Sequence, residues 1–186
     1  MAARGVRIAG GTARGLPLAE PRGVRLRPTS GLVREAIFNM LGERVSDAVV
    51  LDLYAGTGAL GIEALSRGAA HATFVEAEAA CVSAISQSLS RAQMSDIGTV
   101  LRARLPGALK NLQGTFDIIF LDPPYNEPDI EMVLVNLAPH LADGGVVVYE
   151  HGSRYNPPER PAGLRLSERR VYGDSAVAFF VAQEGE

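Results

Sequence analysis

From about Ala48 onward, apolar runs of strand length alternate with stretches of helical periodicity, a pattern that predicts a parallel sheet covered by helices. Val49-Val50-Leu51-Asp52-Leu53 is almost continuously apolar, as expected of a strand buried on both faces. A helix is expected from Leu60 to Arg67, with Gly68 as its stop. His71 to Glu76 reads as the second strand. The stretch from Glu78 to Met94 reads as a long helix with Val82, Ile85 and Leu89 on one face. Thr99 to Leu101, Phe116 to Leu121 and Gly145 to Glu150 read as three further strands, with a helix from Ile130 to Leu141 between the last two.

The tail departs from this rhythm. Leu164 to Tyr172 and Ala176 to Ala182 are β-rich and separated only by Gly173-Asp174-Ser175, too short for a crossover helix, so they form an antiparallel hairpin. The expected architecture is α/β, a seven-stranded doubly wound sheet of Rossmann-like type with a C-terminal antiparallel hairpin. Ahead of the sheet, Val33, Ala36, Ile37, Met40 and Leu41 predict an amphipathic helix over Gly31 to Leu41. The glycine- and proline-rich segment before it reads as loop or short hairpin. The chain divides into a basic arm and helix, residues 1–45, and an α/β body, residues 46–186.

Composition narrows the class. With 186 residues, 47% hydrophobic and 21% charged, the chain can bury roughly 70% of its unfolded surface and needs no disulfide or metal staple. The single cysteine, Cys81, cannot form an internal bridge, which points to a reducing, cytoplasmic compartment. No run is long enough for a membrane helix, and a signal pattern is missing at the start.

The net charge of -3 argues against a nucleic-acid partner until it is placed along the chain. Residues 1–45 carry eight arginines against three glutamates, a local excess of +5, and the rest is acidic. A basic arm on an acidic body suits a polyanion. Seventeen of the 18 basic residues are arginine, whose planar fork fits phosphate. Arg7, Arg14, Arg25, Arg27 and Arg34 are the candidate polyanion contacts.

Gly56-Thr57-Gly58-Ala59-Leu60-Gly61 follows the first strand and opens a helix, with Glu76 20 residues after Gly56. This fits a nucleotide cofactor in general, because the loop allows close backbone approach and the helix start attracts an anionic group. Asp52 separates the possibilities. A carboxylate at that strand end repels a dinucleotide pyrophosphate, whereas S-adenosylmethionine brings a sulfonium and an amine that a carboxylate attracts. Glu76 can accept hydrogen bonds from ribose hydroxyls. A loop-capping aspartate and a solvated strand end are the structural alternatives for these two residues.

Phe116 to Leu121 runs into Asp122-Pro123-Pro124-Tyr125. Two prolines cannot extend a central strand, so the chain leaves the sheet at its carboxyl edge, where ligands of open α/β sheets bind. The rigid turn offers a carboxylate, carbonyl acceptors and an aromatic ring together. Methylation of an exocyclic amine on a planar base wants that set: Asp122 and the Pro123 carbonyl accept from the amine while Tyr125 stacks on the ring. A base in folded nucleic acid must leave its stack to arrive there. The structural alternative is a strand-ending turn with an exposed tyrosine.

The run from Leu51 to Gly68 around the glycine loop and Leu121-Asp122-Pro123-Pro124-Tyr125 resemble the RsmD family of bacterial ribosomal RNA methyltransferases. So do Arg7-Ile8-Ala9-Gly10-Gly11, Arg27-Pro28-Thr29-Ser30, the Val33 to Asn39 run and Tyr172-Gly173-Asp174. The resemblance implies the class I methyltransferase fold and methyl transfer from S-adenosylmethionine to N2 of a guanine in 16S rRNA, yielding S-adenosylhomocysteine. It implies Asp122, Pro123 and Tyr125 as catalytic, and Asp52, Ala55, Gly56, Thr57, Gly58, Glu76, Ala103 and Asp122 as cofactor contacts. The expected partner is 16S rRNA in an assembled or assembling small subunit, met by a monomeric enzyme. Two departures stand out. Gly31-Leu32 replaces the family's Asp-Arg pair, and Arg102-Ala103-Arg104-Leu105 lacks an acidic or amide residue near the adenine, leaving a backbone group to substitute.

Rival readings use the same pocket on DNA adenine or on a protein glutamine, though this chain lacks room for a separate target domain. An NAD-dependent oxidoreductase is disfavoured by Asp52 and the Asp-Pro-Pro-Tyr turn, and a non-catalytic assembly factor by the intact Asp122 and Tyr125. His71, His140 and His151 lack metal spacing and are expected in a strand, at a helix end and in a loop. No metal is expected. Cys81 is expected to pack within its helix, and Asn39 lies either against the site or on the helix surface.

Overall fold

The computed structural model describes residues 5–24, 29–124 and 127–183. Five strands, β1 (Val49–Leu53), β2 (His71–Glu76), β3 (Gly98–Arg102), β4 (Phe116–Leu121) and β5 (Leu141–Gly152), run parallel. With β6 (Leu164–Tyr172) and β7 (Ser175–Ala182) they form one seven-stranded sheet in the order β3-β2-β1-β4-β5-β7-β6. β7 is antiparallel to both β5 and β6, and a two-residue turn with Gly173 at φ +62° closes the expected hairpin. The reversal of direction between β1→β2→β3 and β1→β4→β5 leaves a crevice at the carboxyl ends of β1 and β4, where such sheets bind ligands.

Each face of the sheet has its own apolar layer. On one face, α1 (Gly31–Leu41), α2 (Ala59–Ser66) and α3 (Ala79–Arg91) pack over Val50, Phe74, Ile118, Phe120 and Val148. On the other, a 3-10 turn at Gly107–Asn111, the short α4 (Ile130–Val135) and the segment after β5 cover Leu51, Leu53, Ile119, Leu121, Val147 and Tyr149. Side chains alternate between the faces along each strand. Asp52 and Asp122 therefore belong to the α1–α2 face.

α1 spans the residues the periodicity predicts. The Ser30 hydroxyl caps it by accepting the Val33 amide at 3.1 Å. In α3 the buried stripe is Cys81, Ala84, Ile85, Ser88 and Leu89. Val82, expected on that face, is only half-buried. The helix expected from Ile130 to Leu141 ends at Val135. Pro139 cannot donate to a continuing helix, so a 3-10 turn at Ala138–His140 leads directly into β5, which starts at Leu141 rather than Gly145.

The arm shares the core of the body. Ile8, Leu18, Val33, Ile37 and Phe38 are buried in the same apolar layer as α2 and the sheet. Its first turn is a small hairpin, with Arg7 bridged to Pro17. Among the described residues, no helix is long and apolar enough to cross a membrane.

Candidate active site

The glycine loop leaves β1 through a tight reversal. Tyr54, Gly56 and Gly58 all take left-handed φ, +57°, +56° and +75°, and Gly58 caps α2 without any side chain doing so. The Gly58 amide donates to the Ala55 carbonyl at 2.7 Å, and the Ala55 amide to the Val75 carbonyl at 3.2 Å. Thr57 is half-buried beside them. Glu76, ending β2, receives the Gly56 amide on Oε2 and the Glu78 amide on Oε1, both at 2.8 Å. Its carbonyl receives the Ala103 amide at 3.0 Å. Glu76, Ala103 and the glycine loop therefore meet at one edge of the sheet.

Asp52 is 1% exposed and its Oδ2 accepts the Gly61 amide at 2.8 Å. Burial holds its carboxyl well above the usual carboxylate range; the Gly61 hydrogen bond opposes this, while Asp122 and Glu76 add to it. Three carboxyl groups thus converge on the carboxyl edge. Carboxylate charge at this edge favours a cationic ligand and resists a pyrophosphate, and a cation held there draws Asp52 toward its ionised form. Gly61 lets α2 approach the sheet: a Cβ there would lie 2.3 Å from Phe74 Cε1 and 3.0 Å from Asp52 Oδ2. The third glycine of the loop serves packing.

Asp122 and Pro123 are half-buried where β4 leaves the sheet. Asp122 Oδ2 accepts the Thr29 hydroxyl at 2.6 Å. Tyr125 lies outside the described residues. Beside this turn, on the α4 side, Tyr149, His151 and Tyr155 form an aromatic cluster, with ring centroids 5.0 Å apart for Tyr149–His151 and 5.6 Å for His151–Tyr155. His151 stands in β5 and is 4% exposed, not in a loop. Its Nδ1 lies 2.8 Å from the Gly152 carbonyl. A carbonyl only accepts, so Nδ1 carries the proton. Burial lowers the pKa of His151, and Arg169 reinforces the shift against the Gly152 hydrogen bond. Burial also raises Tyr54 and Tyr149, with acidic neighbours adding to the effect.

The arm arginines divide. Arg7 and Arg14 are exposed, with Arg7 Nη1 donating to the Gly15 carbonyl at 2.9 Å. Arg25 and Arg27 lie outside the described residues. Arg34, expected as a phosphate contact, is instead 5% exposed. Its Nη2 donates to the Arg7 carbonyl at 2.6 Å and its Nε lies 3.6 Å from Glu63. It holds the arm to α2 and is closed to a nucleic acid.

Glu63 is the hub of that contact. This fully buried carboxylate accepts the Ala9 and Gly10 amides at 2.7 and 2.8 Å and Arg67 Nε at 2.8 Å. Its signal in the sequence is a lone acid within the apolar run Ala59–Leu65. Thr29 belongs to the Arg27-Pro28-Thr29-Ser30 run, but nothing local marks its partner, which is 93 positions away. Asn39 is exposed, and Cys81 is buried in α3 as expected. His71 pairs with Thr99 at 3.0 Å. Among the described residues, no group of three or more His, Cys, Asp or Glu side chains could hold a metal.

The strand order, the glycine loop at the end of β1 and the acid-proline turn at the end of β4 define a class I methyltransferase. The family described as Conserved hypothetical protein 95 matches residues 6–181. The Ribosomal RNA small subunit methyltransferase D of Escherichia coli strain K12 is 34% identical over 177 residues, covering 94% of this chain and 89% of that protein. The chain belongs to this family, as the resemblance implied. The solved yhhF protein of Escherichia coli superposes with a TM-score of 0.85 at 34% identity, over 96% of this chain and 98% of that one. SMU.776, solved in complex with SAH, shares the fold at a TM-score of 0.64 and 14% identity, over 76% of this chain and 48% of that one.

Proposed function

We propose that the protein transfers a methyl group from S-adenosylmethionine to the exocyclic N2 amine of a guanine in 16S rRNA of the small ribosomal subunit. The observation that carries this reading is the carboxyl edge itself: Asp122 and Pro123 at the end of β4 share it with the glycine loop and with Asp52 and Glu76. The acid-rich edge suits a ligand bearing a sulfonium and an ammonium. The Escherichia coli relative, a ribosomal RNA small subunit methyltransferase, supports RNA as the substrate class.

Asp52 acts through the field of its carboxyl and through the Gly61 amide that it holds. Ala55, Gly56, Thr57 and Gly58 present the loop backbone, Glu76 faces the ribose, and Ala103 borders the adenine. S-adenosylmethionine supplies an activated methyl group on its sulfonium. The chain's own contribution is alignment and exclusion of water. Asp122 and the Pro123 carbonyl accept the amine hydrogens and orient its lone pair, with Tyr125 stacking on the base. As the nitrogen takes up the methyl group it becomes cationic, and Asp122 balances that charge and accepts the proton that leaves. Arg7, Arg14, Arg25 and Arg27 grip phosphate, so residues 1–45 serve as an RNA-binding extension of the catalytic body at 46–186. The enzyme works as a monomer in the cytoplasm.

Asp122→Ala should lower turnover about 100-fold or more while leaving the Kd for S-adenosylhomocysteine within about threefold. Near-normal methylation of small subunits by this variant would overturn the role of Asp122.

A further inference from the structure

We infer that Thr29 is a positioning residue for Asp122, so that the N-terminal arm completes the active site. This rests on the role proposed above for Asp122 and assigns the residue that orients it. The Thr29 hydroxyl is 2.6 Å from Asp122 Oδ2. A carboxylate can only accept, so the hydroxyl donates its one proton to it. The short contact is a charge-assisted bond.

Both partners are carried on rigid supports. Thr29 immediately precedes Ser30, whose hydroxyl and carbonyl cap α1 by accepting the amides of Val33 at 3.1 Å and Arg34 at 3.0 Å. α1 is in turn anchored by Val33, Ile37, Phe38 and Leu41 in the core. Asp122 joins a central strand to two prolines, whose φ is fixed. The bond between them orients the Asp122 carboxylate in a site it shares with the buried carboxyl of Asp52. Ten residues earlier, the Ala19 amide is fixed to Ser88 Oγ on α3 at 2.9 Å. The arm is therefore tied down on both sides of its most basic segment, and only one of those ties reaches a catalytic group.

The test compares Thr29→Val, which keeps the shape and removes the donor, with Thr29→Ser, which keeps the donor. Tritiated S-adenosylmethionine and small subunits lacking the methyl mark give kcat and KM, and calorimetry gives the Kd for S-adenosylhomocysteine. Thr29→Val should lower kcat about 10- to 100-fold with KM for subunits and the Kd within about threefold, and Thr29→Ser should stay near wild type. In substrate-free protein, the Asp122 carboxyl carbon followed by carbon-13 NMR should titrate at higher pH in Thr29→Val than in wild type, because a donated hydrogen bond favours the charged form. Among the described residues, Asp52 and Tyr149 feel the field of Asp122, and both are unaltered in the two variants.

An unchanged kcat or an unchanged Asp122 titration in Thr29→Val would overturn the inference. So would equal losses in the two variants, or a loss confined to KM, which would make Thr29 a substrate contact. Failure of wild-type protein to label subunit RNA, with the NMR difference intact, would instead overturn the functional reading beneath it.

Discussion

The Gly61 amide donates to Asp52 Oδ2 at 2.8 Å, joining the penultimate residue of β1 to the first turn of α2. The bond places a buried carboxyl under the glycine loop, the residue proposed to set the charge preference of the site. Asp52 resists ionisation because it is buried. A carboxyl whose folded pKa is raised favours the folded state at low pH, and that advantage is lost as pH rises through its folded titration. A cationic ligand reverses the preference by stabilising the charged form.

S-adenosylmethionine binding should therefore release a proton from Asp52, and its affinity should rise with pH through that titration. Calorimetry in buffers of different ionisation enthalpy measures the proton directly. Asp52→Asn keeps an acceptor for Gly61 and removes the charge, so affinity for S-adenosylmethionine should fall about tenfold, some 1.4 kcal/mol. S-adenosylhomocysteine, which lacks the sulfonium charge, should lose less. Equal losses for the two ligands would contradict the electrostatic role.

Glu63→Ala should release the arm. It strands two amides and leaves the buried Arg34 without its carboxylate, a loss of about 3–5 kcal/mol by analogy with other broken buried pairs. Urea denaturation should show the destabilisation, and limited trypsin digestion should cut first at Arg7 or Arg14. An arm as resistant as wild type would argue against Glu63 as its anchor.

Gly61→Ala tests the close approach of α2 to the sheet. The added methyl would meet the Phe74 ring at 2.3 Å, and overpacking of this kind costs about 1–3 kcal/mol. The midpoint of denaturant unfolding should fall accordingly.

His151 is held neutral by burial. Unfolding frees it to bind a proton at acid pH, so its contribution to stability is present above the ordinary histidine pKa of about 6.5 and declines as pH falls below that value. His151→Phe retains a ring for the cluster with Tyr149 and Tyr155 and removes the titration. The drop in unfolding free energy between pH 7.5 and 5.5 should be smaller in the variant than in wild type.

The sheet was legible because burial on both faces leaves nearly unbroken apolar runs such as Val49–Leu53 and Phe116–Leu121. The glycine loop and Asp122-Pro123 were legible because their chemistry is local: positive φ and a strand-ending proline pair write themselves in adjacent residues. The burial of Arg34 has no local mark, because its partner Glu63 sits 29 positions away and an arginine in an arm full of arginines looks like its exposed neighbours. Thr29 stands in the sequence only as part of the Arg27-Pro28-Thr29-Ser30 run, and its contact with Asp122, between the start of α1 and the end of β4, has no local mark. The helix expected over Ile130 to Leu141 stops at Val135 because Pro139 cannot continue it, and the apolar residues beyond belong to a 3-10 turn and the start of β5.

The most direct test supplies methyl-labelled S-adenosylmethionine with naked 16S rRNA, small subunits and DNA in parallel, followed by digestion and nucleoside mass spectrometry. The label should appear as N2-methylguanosine at one position of the 16S rRNA. Label on DNA adenine or on protein alone, or no label in any RNA sample, would contradict the assignment.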